Sequence, residues 1–117
     1  LIQVFQTLES LLASLTALEQ NEWIYTNVKE WDKNPDLASF YYIPWDYLQE
    51  LDDDEIYLDD EDLEMPKSLE NMKLRGWMVV CDLALFNEKQ KELDKTRQWV
   101  IEEINYYRDY DAYRCLI

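Results

Sequence analysis

The chain has 117 residues, of which 26 are Asp or Glu and 11 are Lys or Arg, and its net charge is −15 near neutral pH. That length suits one domain, and 48 % hydrophobic with 15 % aromatic residues can bury a real core, which excludes disorder as the default state. The absence of histidine and the single glycine, Gly76, exclude Ser-His-Asp triads, His-based zinc sites and glycine-rich phosphate loops, so nucleotide cofactors are not expected.

In chain order, residues 3–20 place Val4, Phe5, Leu8, Leu11, Leu12, Leu15 and Leu18 at spacings of three and four, which predicts an N-terminal amphipathic helix. Trp23 to Val28 is rich in β-branched and aromatic residues and predicts a short strand. Trp31 to Leu37, with Asn34-Pro35-Asp36, predicts a turn or loop leading into a second strand, Phe40 to Ile43, closed by Pro44. The two strands are expected to pair. Pro66 opens a short helix over Lys67 to Lys73. Trp77 to Cys81 reads as a third strand or a buried entry to the next helix, with strand favoured. The last third is rich in helix formers and predicts one long helix or two short ones, with Leu93, Val100, Ile104 and Tyr107 on one face. Tyr106, Tyr110 and Tyr113 are expected to form an aromatic face of the terminal helix. The fold class is therefore α+β: a single compact domain over 1–117 with an N-terminal amphipathic helix, a small sheet of two or three strands, and C-terminal helices.

The apolar stretch from Trp77 to Phe86 is interrupted by Asp82 and is too short to span a bilayer. The first residues lack the basic segment and small-residue cleavage site of a secretory signal, so a cytoplasmic location is expected. Cys81 and Cys115 have no CxxC spacing and are expected to be reduced, with Cys81 a small core residue. No histidine stands ready to activate it as a nucleophile. Most of the five tryptophans are expected in the core, with Trp31 and Trp45 as surface anchors.

Charge is distributed unevenly. Residues 46–64 contain Asp46, Glu50, Asp52, Asp53, Asp54, Glu55, Asp59, Asp60, Glu61, Asp62 and Glu64 and no Lys or Arg, so this segment alone carries −11 of the total −15. Such density exceeds what solubility requires of a small domain. Three readings compete: a solvated loop, a docking surface for a basic protein, and a calcium loop. A solvating tract would carry fewer large apolar residues than Tyr47, Leu48, Leu51, Ile56, Tyr57, Leu58 and Leu63. A calcium loop beginning at Asp52 would have Ile56 and Tyr57 where its third ligand and its glycine belong. The docking surface is favoured, with the eleven acids supplying electrostatics and Tyr47 and Tyr57 acting as packing anchors. Neither a catalytic residue nor a metal or cofactor site is expected, and the chain reads as a binding protein rather than an enzyme.

Ile104-Asn105-Tyr106-Tyr107-Arg108-Asp109-Tyr110-Asp111-Ala112-Tyr113, together with the Pro66 to Gly76 segment and Cys81-Asp82-Leu83, resembles a family of small acidic bacterial proteins of uncharacterised function. In general type the chain also resembles the immunity proteins encoded beside toxins of contact-dependent-inhibition systems. This likeness implies an antitoxin-like toxin inhibitor, and the surplus of fifteen negative charges, which repels phosphate backbones and anionic lipid surfaces, points to a basic partner with no direct nucleic acid or membrane contact. The alternative is an acidic nucleic-acid mimic that inhibits a host DNA-binding or defence enzyme; its charges should form a long stripe, whereas here they concentrate in one segment.

Overall fold

The computed structural model describes residues 2–114. It begins with a strand where periodicity predicts a helix. β1 (Gln3–Phe5) pairs antiparallel with β3 (Phe40–Tyr42), and only after Thr7 does α1 (Leu8–Ser14) start. The Thr7 side chain accepts the Ser10 N–H, a cap that fixes the helix start, and a 3-10 turn over Leu15–Ala17 ends it. The apolar stripe itself is used as expected: Leu8, Leu11, Leu12, Leu15 and Leu18 are all buried. Val4, off that face, is half exposed on the edge strand.

β2 (Trp23–Thr26) is shorter than expected because Asn27 caps a helix, α2 (Val28–Lys33), by accepting the Glu30 N–H. The loop expected from Trp31 onward is thus helix followed by a 3-10 turn at Pro35–Leu37, and Trp31 is buried rather than a surface anchor. Its indole Nε1–H donates to Asn105 Oδ1 at 2.8 Å. β3 ends at Tyr42, just short of Pro44, and pairs antiparallel with β2 as expected. α3 (Trp45–Glu50), a 3-10 turn over Asp53–Glu55, β4 (Ile56–Leu58) and β5 (Glu64–Pro66) then fold the acidic segment, whose elements were not predicted. The short helix after Pro66 is a 3-10 helix, Lys67–Met72, and β6 (Arg75–Val79) begins two residues before the predicted strand. α4 (Val80–Glu92) and α5 (Arg97–Tyr110) complete the fold as two helices.

Two sheets result, a four-stranded antiparallel one in the order β1-β3-β2-β6 and a β4-β5 ribbon, so the expected two or three strands become six. Alternation along β3 divides the interior. Phe40 and Tyr42 face a main core built with α1, Trp31, Trp77, α4 and α5, whereas Tyr41 faces a second core with Ile43, Leu48, Met65 and Leu74. Helices α1, α4 and α5 and the acidic layer therefore lie on opposite faces of one sheet. Cys81 is exposed, correcting the expected core placement: Val80 and Leu83 take the inward positions at the start of α4. Cys115 lies outside the described residues. Leu93 caps the end of α4 and is 48 % exposed, so it does not share the inward face of Val100 and Ile104. Tyr106 and Tyr110 do lie together, with ring centroids 4.6 Å apart, but Tyr113 follows the helix and packs on Tyr107 and Phe86 instead.

Candidate functional site

The acidic segment is folded, and the second core explains how. Leu48 of α3 and Met65 of β5 are buried beneath it, with Tyr47, Leu51 and Tyr57 packed at their margin. Interleaved apolar residues thus pin the backbone while the acids between them turn outward. Asp46 and Glu50 stand on α3, and Asp52, Asp53, Asp54 and Glu55 on the following turn; Asp60, Glu61, Asp62 and Glu64 ring the end of the ribbon, and all ten are exposed.

Asp59 is the exception. It is 8 % exposed, and its Oδ1 accepts the N–H groups of Glu61 at 2.8 Å and Leu63 at 3.0 Å. Its carboxylate replaces a turn's missing backbone acceptors, which makes it a scaffold for the hairpin rather than a contact. Asp62 takes the left-handed conformation that completes the turn, a place Asp tolerates. Arg75 of β6 meets the turn from across the chain: its Nη2 lies 2.6 Å from Asp60 Oδ2, and Asp59 and Glu61 are each 3.9 Å away. This base was invisible to a count made within the segment.

The two tyrosine anchors are less available than expected. Tyr47 and Tyr57 are both half-buried against the molecule's own second core. Burial, followed by the nearby Asp59, raises the Tyr57 pKa above its ordinary value of 10.0, so the phenol stays protonated. The exposed apolar groups of this layer are instead Trp45, at 59 %, and Leu58 and Leu63 at the ribbon's end, at 60 % and 51 %. Trp45 was expected outside; the two leucines stood out in the sequence only as apolar residues among the acids, with Tyr47 and Tyr57 expected as the anchors.

Asp52, Asp54 and Glu55 bring one carboxylate oxygen each within 4.8 Å of one another. Their closeness follows from the turn itself, in which the Glu55 N–H donates to the Asp52 carbonyl at 2.8 Å and the Asp52 N–H to Glu55 Oε1 at 3.2 Å. All three are exposed. Among the described residues, no helix is long and apolar enough to cross a membrane. Comparison with family models, with curated proteins and with solved structures finds no match.

Proposed function

We propose that this chain is a cytoplasmic immunity protein that neutralises a cognate basic toxin, a nuclease, by covering its substrate-binding or catalytic surface. The observation that supports the reading is the exposure of ten carboxylates on an ordered layer, eight of which have no ion-pair partner among the described residues. A nuclease presents a positive cleft to phosphates, and carboxylates held at comparable density steer association and exclude the nucleic acid in one contact. Trp45, Leu58 and Leu63 supply the apolar contact area within that charged rim. The chain's bases are scattered and its charge is negative, so the partner is a protein rather than nucleic acid.

The test uses the purified chain and a candidate basic nuclease toxin, with association followed by stopped-flow fluorescence over a range of salt. Asp46, Glu50, Asp53 and Glu64 are exposed, and their side chains make no hydrogen bond or ion pair among the described residues. Reversing all four to Lys should leave the fold intact, slow association and flatten its salt dependence. Unchanged kinetics in that variant would overturn the surface. Failure of the chain to protect cells from the nuclease would overturn the immunity reading, and inhibition of a DNA-binding defence enzyme instead would replace it with mimicry.

A further inference from the structure

A cleft of about 710 Å³ separates α2 from the β4-β5 turn and the end of the Lys67–Met72 helix. Four of the chain's eleven bases line it: Lys29, Lys33, Lys73 and Arg75. Four carboxylates line it too, but Asp59 and Asp60 are engaged by Arg75. None of the three lysines forms an ion pair among the described residues, although Glu30 and Glu70 share the walls. All three are exposed, and in a chain with more than two acids for every base they gather, with Arg75, an unusual share of its positive charge around one concavity. Lys29 and Lys33 are also four apart on α2, a like-charge spacing that works against the helix.

Backbone geometry adds an independent observation. Four described non-glycine residues have positive φ; three are Asp, which tolerates the left-handed region, and the fourth is Lys73, with φ 54° and ψ 46°. Glycine or asparagine is the comfortable choice at such a helix end. Lysine there places an ammonium on the cleft wall at a cost to the backbone, the pattern of a residue kept for its side chain.

We propose that this cleft binds a small organic monoanion, a single carboxylate on an apolar body, with the carboxylate held by Lys29, Lys33 and Lys73. The apolar body rests against Val28, Tyr57 and Leu58, which supply the apolar lining. A single charge suits the site because its own charges balance and the whole molecule, at −15, repels polyanions. The inference does not rest on the immunity reading: the two share Leu58 and border on Asp60, but the ligand's charge is met by Lys29, Lys33 and Lys73, which the docking surface does not use.

The experiment titrates the full chain with benzoate at constant ionic strength, following backbone amides by NMR, with chloride and neutral benzyl alcohol as references. Saturable shifts are expected at the cleft residues with benzoate only. The double variant Lys29→Ser, Lys33→Ser should weaken binding about tenfold, the scale of a lost charge-assisted contact. Lys73→Gly separates site from scaffold: relief of the left-handed strain should raise Tm while benzoate binding weakens by about fivefold. Shifts no larger than those of chloride, equal binding of benzyl alcohol, or undiminished benzoate binding by the Lys73→Gly protein would each overturn the proposal.

Discussion

Two tryptophans packed against each other in the main core illustrate how differently one residue type can be used. Trp31 and Trp77 have ring centroids 4.8 Å apart, and both are buried. The Trp31 indole donates to Asn105, tying α2 to α5, whereas the Trp77 Nε1–H is buried with no partner among the described residues. An unmade buried hydrogen bond costs about 1–3 kcal/mol, so the two rings should respond differently to loss of the nitrogen. Replacing Trp77 by Phe removes an unsatisfied donor together with ring area, and the two effects should largely offset. Trp31→Phe removes similar area and also strands Asn105, so it should be the more destabilising by about 1–2 kcal/mol. Urea midpoints of the two variants check this, and equal losses would refute it.

Among the elements, the end of the chain shows two buried carboxylates satisfied from one short stretch. Asp82 on α4 and Glu103 on α5 are 8 % and 3 % exposed, and they accept hydrogen bonds from Tyr113 and Arg114 respectively. Tyr113 also stacks on Tyr107, so the residues after α5 bridge both helices. The hydrogen bond to Asp82, then burial, pushes the Tyr113 pKa well above its ordinary 10.0, and burial raises those of Tyr107, Tyr25 and Tyr57. A folded-state pKa above the unfolded one means that stability is intact below 10.0 and is lost as pH climbs through the raised values. Urea midpoints should accordingly hold steady up to that pH and fall beyond it, and Tyr113→Phe should make the alkaline fall shallower. A slope unchanged in that variant would contradict the assignment.

The same scale shows what the sequence made legible. The helical stripe of α1, the strands β2 and β3 and their pairing, and a helical last third followed from periodicity and composition, because local patterns there agree with the tertiary environment. β1 was hidden by an apolar spacing continuous with α1, and only its pairing with Phe40, Tyr41 and Tyr42 makes it a strand. The ribbon was hidden because β4 and β5 are three residues each among dense acids, and the partner that steadies their turn, Arg75, lies well outside the segment. The acids themselves were legible as a surface. The inward turn of Asp59 and the self-packing of Tyr47 and Tyr57 depend on a second core that no local pattern announces.

For the whole molecule, the dominant fact is a sheet with unlike faces. The helices enclose the larger core on one side, and a thin layer of short elements carries most of the excess negative charge on the other. That layer is inserted in sequence between β3 and β6, while β6 must pair with β2 to complete the sheet. Closing this long loop brings mutually repelling carboxylates together before the pairing contributes, so the insertion taxes the barrier as well as the final state. Refolding should therefore accelerate with added sodium chloride, more so than unfolding slows, and the four-residue charge reversal should remove most of that acceleration. The acidic layer in this view acts as a kinetic regulator of its own scaffold: in dilute salt the chain would linger with its sheet unclosed, and the ionic strength around it would set how soon a competent molecule appears.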